Sequence, residues 1–315
     1  MDTNQNTRGI FFIMTGMAFF SIQDSLIKFI FEDIALFELY LGRTLIQATI
    51  LLAFVIITKK HITLKTHYPF LTLLRVVCFF FGFSFFYISL TFMSLAMANA
   101  LFFSSPFFIS ILAMIFLKEK IGIRRWLGIS VGFLGVYIVL DPNFDDFNYM
   151  KLSPVACALC YAISMTITKY TSDKDNVYTQ MSHLYIGAII ISILFFIFTG
   201  EGQFNTSSDP TFQFIFREWF SNPSYAWPFI IFMGFVAAVS FYCVFSAYSI
   251  ASPSAVSLFE YSLIIWSIIV GYLLFKDVPT TRTFIGVALI IGAGIYIYIR
   301  EKARDQMIVT DTPNR

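Results

Sequence analysis

The sequence predicts an all-α membrane protein in which ten transmembrane helices form two inverted five-helix repeats (5+5). Three observations support this prediction: the composition, the number of long apolar segments, and a similarity between the two halves. Of the 315 residues, 58% are hydrophobic and only 13% are charged, whereas a soluble domain carries about 25% charged residues. One soluble domain of this size cannot bury so much apolar surface, and lipid is the natural solvent for it.

Ten segments are long and apolar enough to cross a bilayer, for which a helix needs about 20 mainly apolar residues. Several connections between them are short, which is typical of antiparallel neighbours in a compact bundle. The first segment is longer than the apolar region of a secretory signal, so we interpret it as a retained span. The ten segments are 9–30, 36–58, 69–90, 94–116, 123–140, 152–171, 178–199, 226–249, 253–275 and 282–300.

Basic residues predict that the N and C termini are both cytoplasmic, because Lys and Arg accumulate in loops on that side of a membrane. Of the 21 Lys and Arg residues, Arg43 and Arg75 lie within spans, and most of the others fall on one side. The bias agrees only with an even number of spans. The predicted outer side holds Lys28, Lys151, Arg217, Lys276 and Arg282.

An internal similarity predicts the repeat. Residues 98–119 parallel residues 256–277 at an offset of 158, and residues 22–29 parallel residues 163–170 at an offset of 141, so that Lys28 corresponds to Lys169. Each half then contains five helices. Because five is odd, the second half enters the membrane upside down, an arrangement typical of secondary transporters. We predict one half at 1–146 and the other, with a short cytoplasmic tail, at 147–315.

Several short passages resemble a known family. They are residues 96–100, 105–107, 125–128, 132–136, 259–261, 275–279 and 294–297. They are similar to the drug/metabolite transporter (DMT) superfamily, and within it to the EamA-type ten-span carriers, over nearly the whole chain. The resemblance implies a metabolite transporter in the inner membrane of a bacterium. Carriers of this superfamily move amino acids, nucleotide-like metabolites, vitamins and drugs, so the resemblance does not fix the cargo.

Ionisable residues at bilayer depth are costly and normally face the interior of a helix bundle. Depth estimated from the helical rise of about 1.5 Å per residue predicts an outer layer of such groups and an inner layer. Tyrosine and tryptophan between the layers offer flat apolar contact and a hydrogen-bonding tip. The predicted substrate-binding or gating residues are Gln23, Asp24, Lys28, Arg43, Arg75, Tyr87, Asn99, Tyr161, His183, Tyr242, Glu260, Tyr261 and Trp266.

Structural roles remain open for several of these residues. Lys28 is near a helix end, where a lysine can extend its ammonium group to the interface, and Asp24 can form a purely structural ion pair with Lys28 or Arg43. Arg75 can neutralise Glu260. Pro106, in mid-span, predicts a helix kink, and a tolerated bend is the alternative. The pattern at Gly128 and Gly132 favours close helix packing and leaves a homodimer open.

The predicted function is secondary active transport of a small polar or zwitterionic metabolite by alternating access through a central site between the repeats. Arg43 and Arg75 would suit a zwitterion or anion, and a buried carboxyl at Asp24 or Glu260 could couple transport to protons. The alternative is proton- or exchange-coupled uptake of an aromatic or nucleotide-like metabolite of the riboflavin or S-adenosylmethionine type. Expected partners are the cargo, the lipid bilayer and a proton or counter-substrate.

Other classes are disfavoured. The net charge of +2 is too small for nucleic-acid binding, and the sequence has neither a zinc-protease motif nor a nucleotide-binding glycine loop. Mixed charge signs and the repeat argue against a channel. We expect no cofactor and no metal, because Cys157 and Cys160 lie in an apolar helix without a nearby histidine. An intramembrane enzyme is therefore not expected.

Overall fold

A computed structural model of the chain describes residues 3–93, 95–119, 122–140, 149–276, 280–282, 284–289, 291–293 and 295–296. Helices account for nearly all regular structure in these ranges. They are α1 (Thr3–Ile30), α2 (Leu36–Thr58), α3 (Pro69–Ser89), α4 (Leu95–Phe102), α5 (Ser105–Phe116), α6 (Ile123–Leu140), α7 (Ser153–Thr171), α8 (Val177–Thr199), α9 (Pro210–Phe216), α10 (Ala226–Ile250), α11 (Pro253–Val256) and α12 (Ser262–Phe275). Further helical residues lie between 281 and 296.

Proline and capping residues explain where many helices begin. Five helices carry proline in the first turn, where its missing N–H costs no helical hydrogen bond: Pro69, Pro106, Pro154, Pro210 and Pro253. The side chain of Asn176 accepts a hydrogen bond from the Thr179 N–H at the start of α8. Asp209 does the same for Thr211 and Phe212 at the start of α9.

Among the described residues, seven helical stretches are at least 18 residues long and apolar enough to span a membrane. They are Gln5–Ile30, Leu36–Thr58, Pro69–Ser89, Tyr149–Thr171, Val177–Thr199, Ala226–Ile250 and Ser257–Leu274. Three shorter apolar helices, Ser105–Phe116, Trp126–Gly135 and Phe284–Ala293, fall in the other three predicted spans. The all-helical membrane fold is confirmed. The count of ten spans, the inverted repeat and the orientation of the termini stay predictions.

The predicted span 94–116 is not one continuous α-helix, since a turn at Phe103 and Ser104 separates α4 from α5. Pro106 follows this turn. It has no N–H to bond the carbonyl four residues earlier, and its ring crowds that carbonyl. The predicted span 253–275 is also not a continuous α-helix, because a 3-10 helix, Ser257–Tyr261, connects α11 to α12.

The two halves of the chain interleave instead of forming separate bundles. Helix α1 packs against α10 and α12, α3 packs against α7 and α8, and α2 packs against α8 and α10. Most of the buried hydrophobic side chains form one continuous core between these helices. The predicted junction of the halves, at 146 and 147, and the predicted C-terminal tail lie outside the described residues. Any site at the centre of this core is therefore built from both halves.

Candidate functional site

A small cavity lies at the centre of the helix bundle, where helices of both halves meet. Its volume is about 10 Å³, close to the lower limit for holding one water molecule. It is lined by Met17, Phe20 and Asp24 of α1, Phe83 and Phe86 of α3, Asn99 and Phe102 of α4, Tyr161 of α7 and Leu263 of α12. The structure is thus closed around this point, and a metabolite could enter only if the helices moved apart.

Two polar side chains reach the cavity, and each has an oxygen without a partner. Asp24 is 3% exposed and Asn99 is 1% exposed, yet neither Asp24 Oδ1 nor Asn99 Oδ1 receives a hydrogen bond from a residue that the structure describes. The other end of the Asn99 amide is held, because Nδ2 donates to Ser267 Oγ at 2.9 Å. A buried acceptor without a donor costs free energy, so these oxygens mark a place where a ligand could bind.

A guanidinium cluster lies beside Asp24. Arg43 Nη1 donates to the Tyr87 hydroxyl at 3.1 Å, and Gln23 Nε2 donates to the same oxygen at 2.8 Å. The Arg43 guanidinium also lies over the Tyr40 ring, 4.5 Å from its centroid, and 5.2 Å from that of Tyr87. Such stacking stabilises a buried cation. The structure therefore holds Arg43 in place with its own residues.

A cluster of hydroxyl groups surrounds the carboxyl group of Glu260, which is fully buried in the 3-10 helix. Tyr161 donates its hydroxyl proton to Glu260 Oε1 at 2.6 Å, and Tyr248 donates to the same oxygen. Ser105 Oγ donates to Oε2 at 3.3 Å. Ser105 begins α5 directly after the break in the predicted fourth span. Tyr161 also lines the central cavity, so it connects the Glu260 cluster to the site around Asp24.

Two lysines related by the 141 offset make matching contacts. Lys28 Nζ donates to the carbonyl oxygens of Leu90 at 2.5 Å and Met93 at 3.1 Å, just after α3 ends. Lys169 Nζ donates to the carbonyl oxygen of Ser249 at 3.1 Å, in the last turn of α10. An ammonium group at the carboxyl end of a helix satisfies its last carbonyls and the negative end of its dipole.

A pair of residues related by the 158 offset lies at the meeting point of the interrupted helices. Phe103 occupies the turn between α4 and α5, and Tyr261 ends the 3-10 helix that leads into α12. Their ring centroids are 5.4 Å apart. Equivalent positions of two repeats can touch each other in this way when they lie near the axis that relates the repeats.

Other predicted site residues lie away from the central cavity. Arg75 is fully buried and donates to Gln180 Oε1 at 2.7 Å and to the Gln180 carbonyl at 3.3 Å. Within the described ranges it forms no ion pair with Glu260. His183 Nε2 is 2.9 Å from the Leu64 carbonyl oxygen in a loop. Trp266 is 37% exposed on the outside of the bundle.

Tyr242 belongs to a different, larger cavity between α2, α8 and α10. That cavity has a volume of about 180 Å³ and is lined mostly by apolar side chains, with Gln47, Tyr185 and Tyr242 as polar exceptions. The Tyr242 ring stacks against Tyr178 with centroids 6.2 Å apart. Tyr242 thus contributes to aromatic packing, away from Asp24 and Glu260.

A clamp on the predicted cytoplasmic side joins the loop before α3 to the loop before α8. Asp175 accepts hydrogen bonds from Thr66 Oγ1 and from the His67 backbone N–H, the latter at 3.3 Å, and His67 Nδ1 lies 3.3 Å from the same carboxyl group. Burial opposes ionisation of Asp175, but these hydrogen bonds and the His67 charge lower its pKa below the ordinary value. The clamp holds the two halves together at this end.

The sequence analysis missed the tyrosines and serines that complete the site. Tyr248, Tyr40, Ser105 and Ser267 carry no charge and occur within long apolar stretches, where polar side chains usually satisfy themselves by helix packing. The 158 offset was the available signal for Ser105, because Ser105 lies two residues after Phe103 of the repeat-related pair. No group of three His, Cys, Asp or Glu side chains that could hold a metal ion occurs in the part of the chain that the structure describes.

Comparison with known proteins identifies the family. The model of the EamA-like transporter family matches residues 7–141 and residues 152–299 of this chain. The protein is an EamA-like transporter. This family belongs to the DMT superfamily and consists of transporters, not enzymes, so the predicted family and protein class are confirmed.

Relatives of this EamA-like transporter carry specific names. An S-adenosylmethionine uptake transporter of Rickettsia conorii is 28% identical over 294 residues, which cover 93% of this chain and 93% of the relative. A riboflavin transporter of Vibrio cholerae is 28% identical over 198 residues, which cover 63% of this chain and 60% of the relative. A crystal structure with 14% identity covers 93% of this chain with a TM-score of 0.70, which shows a shared fold. The protein is thus a multi-pass metabolite transporter of a bacterial inner membrane.

Proposed function

We propose that this EamA-like transporter is a secondary active carrier that moves a small polar or zwitterionic metabolite by alternating access through the central cavity. One observation carries the proposal: the cavity around Asp24 and Asn99 is built from helices of both halves and is closed. A closed site with unsatisfied buried oxygens is what a carrier needs between its two open states, whereas an open channel would need a continuous pore.

The repeat-related contacts support the alternation. The Lys28 contact holds the end of α3 on the predicted outer side, and the Lys169 contact holds the end of α10 on the predicted cytoplasmic side. The family match falls in two consecutive ranges, 7–141 and 152–299. If the halves are inverted repeats, exchanging their conformations would open the cavity to one side while closing it to the other. The interrupted helices, which meet at Phe103 and Tyr261, are where we propose that the bending occurs.

For the cargo, we propose a chemical class and not a single metabolite. S-adenosylmethionine and riboflavin are the first metabolites to test, because relatives of this chain are named as their transporters. Uptake is the proposed direction for both, and import of another zwitterion stays open. Proton coupling through Asp24 or Glu260 is one scheme, and exchange of two solutes without protons is the other. A homodimer stays a proposal as well. A Cβ added at Gly132 would lie 3.1 Å from the Tyr261 hydroxyl oxygen of the same chain, so this glycine faces the inside of the bundle.

Counterflow in proteoliposomes tests the carrier mechanism. Vesicles containing the purified chain are loaded with unlabelled metabolite, and the uptake of a trace of labelled metabolite is followed. A thermal-shift screen selects the metabolite beforehand, because a ligand that binds the folded state raises its apparent stability. A carrier accumulates label transiently above its outside concentration, whereas a channel only equilibrates it. Equilibration without overshoot would contradict alternating access.

The coupling scheme needs a separate comparison. Glu260→Gln keeps the size of the side chain but cannot exchange a proton. If Glu260 couples transport to protons, the variant keeps counterflow and loses accumulation driven by a pH gradient. Unchanged pH-driven accumulation in Glu260→Gln and in Asp24→Asn would leave solute exchange as the scheme.

A further inference from the structure

We infer that the part of the cargo that enters the central cavity is an organic cation bearing N–H groups, an ammonium group beside an apolar or aromatic portion. The inference rests on the proposed function and names the chemistry of its binding site. Asp24 and Asn99 would accept the hydrogen bonds of the ammonium group, and the surrounding rings would contact the rest of the cargo.

Among the described residues that line the cavity, the buried polar atoms without a partner are acceptors. Asp24 Oδ1 and Asn99 Oδ1 are both buried and receive no hydrogen bond from the described part of the chain. The donors of the lining residues are already used: the Asn99 amide N–H bonds Ser267, and the Tyr161 hydroxyl bonds Glu260. The buried Arg43 Nε–H has no partner, but Arg43 does not line the cavity. A carboxylate or phosphate in the cavity would therefore meet two more acceptors, while an ammonium group would satisfy both oxygens.

The charge balance favours a cation in the same way. Asp24 and Glu260 contribute two carboxyl groups to the site and its adjoining cluster, against the one guanidinium of Arg43. That guanidinium donates from Nη1 to Tyr87 and stacks on Tyr40, and Arg43 does not line the cavity. Within the ranges that the structure describes, no Lys or Arg nitrogen lies within 4.0 Å of the Asp24 or Glu260 carboxyl oxygens.

Arg75 cannot supply the missing positive charge in this structure. Its guanidinium is held between α3 and α8 by Gln180, away from the cavity. The sequence analysis assigned Arg43 and Arg75 to an anionic or zwitterionic cargo. The observed contacts assign both guanidinium groups to internal structure, so the carboxylate of a zwitterion would have to lie outside the central cavity.

The apolar wall of the cavity is mainly aromatic. Phe20 and Phe83 stack with centroids 6.0 Å apart, and Phe102 and Tyr161 lie 5.3 Å apart across the cavity lining. Aromatic faces attract organic cations, most strongly where water is excluded. A carboxylate at one end of an aromatic box is a recognition site for an ammonium group joined to an apolar body. A neutral flavin ring would use the aromatic wall but would bring no ammonium group to Asp24 Oδ1.

Binding of two matched probes tests the inference. The probes are 2-phenylethylamine, which is protonated at neutral pH, and 2-phenylethanol, which has nearly the same shape without a charge. The full chain in detergent is titrated with each probe, and its unfolding temperature is recorded. The amine should bind about ten- to a hundredfold more tightly than the alcohol, the range expected for a buried charged hydrogen bond. Equal stabilisation by both probes would overturn the inference.

Variants show whether the preference comes from the cavity. Asp24→Asn should remove the preference for the amine, whereas Glu32→Gln, which removes an exposed carboxylate in the loop after α1, should retain it. Asn99→Asp adds a carboxylate to the cavity and should increase the preference for the amine. This variant therefore tests the same site even if Asp24→Asn does not fold. A preference that survives in Asp24→Asn and does not change in Asn99→Asp would contradict the assignment.

Transport separates this inference from the proposed function. Uptake of S-adenosylmethionine, which carries an ammonium group, and of riboflavin, which does not, is compared in proteoliposomes. Uptake of S-adenosylmethionine that falls in Asp24→Asn supports both proposals. Uptake of riboflavin alone, unaffected by Asp24→Asn, would support a carrier and overturn the cationic cargo. Amine-selective binding with no counterflow of any bound solute would support the site and contradict the carrier.

Discussion

Removing the Tyr161 hydroxyl tests the hydrogen bonds that hold the buried carboxyl group of Glu260. In the structure, Tyr161 of α7 donates to Glu260 Oε1 at 2.6 Å, and both residues are almost completely buried. Tyr161→Phe removes only the oxygen atom and keeps the ring that lines the central cavity. Glu260 would keep the hydrogen bonds from Tyr248 and Ser105.

The size of the effect follows from the charge of the acceptor. A hydrogen bond to a charged group contributes about 1.5–3 kcal/mol, and one between neutral groups about 0.5–1.5 kcal/mol. Tyr161→Phe should therefore lower the free energy of unfolding by about 1.5–3 kcal/mol in the natural sequence. In a Glu260→Gln background the same change should cost only about 0.5–1.5 kcal/mol. The difference between the two costs is the coupling energy of the pair.

The assay is unfolding by a graded detergent titration, followed by tryptophan fluorescence, for the four proteins of this double-mutant cycle. Tyr272→Phe is a matched control, because Tyr272 is about half exposed on the outside of α12 and its hydroxyl should contribute little. Equal costs of Tyr161→Phe in both backgrounds would refute the hydrogen-bonded carboxyl cluster.

Three further predictions concern other parts of the bundle. Gly187→Ala should lower the free energy of unfolding by about 1–3 kcal/mol, because its Cβ would lie 2.2 Å from Val76 Cγ1. Lys28→Met should cost about 1–3 kcal/mol, because it leaves helix-end carbonyls without their charged donor. The stability difference between the natural sequence and Asp175→Asn should be full above about pH 5 and shrink as the pH falls through the lowered pKa of Asp175.

Each of these predictions has its own control. Gly271→Ala should be neutral or slightly stabilising, because no described atom outside the backbone of its own helix lies within 4 Å of the position of its Cβ; a loss equal to that of Gly187→Ala would contradict the packing argument. Lys28→Arg should retain much of the stability that Lys28→Met loses. For Asp175, a difference that grows on acidification would contradict the sign, since a carboxyl with a lowered pKa stabilises the fold only while it is ionised.

The sequence predicted the membrane fold well, because helix length and apolar composition are local properties. The buried polar residues were also found by composition alone, since Asp24, Arg43 and Glu260 are conspicuous in apolar stretches. Their partners were harder to predict. Arg75 and Glu260 were placed at similar depth, but depth along a helix does not specify its rotation, and the structure turns Arg75 toward Gln180.

The helix interruptions were only partly visible in the sequence. Pro106 marked the fourth predicted span, but proline alone does not determine whether a helix bends or stops. In the ninth predicted span no proline lies between Ser254 and Phe275, so the 3-10 turn at Glu260 had no local signal. The Glu260 side chain in this turn accepts hydrogen bonds from the hydroxyls of Tyr161 and Tyr248, which come from other helices. Such tertiary contacts can be identified only from a three-dimensional structure, because they join helices that are distant in the sequence.

Sided labelling of the central cavity tests the carrier mechanism most directly. Met17, which lines the cavity and is 2% exposed, is replaced by cysteine in a variant lacking the four natural cysteines that still performs counterflow. A membrane-impermeant maleimide is then applied to right-side-out and to inside-out vesicles. Alternating access predicts labelling of Met17→Cys from either face, slowed in both cases by a bound substrate. Labelling from one face only, under every substrate and ion gradient, would contradict the carrier mechanism.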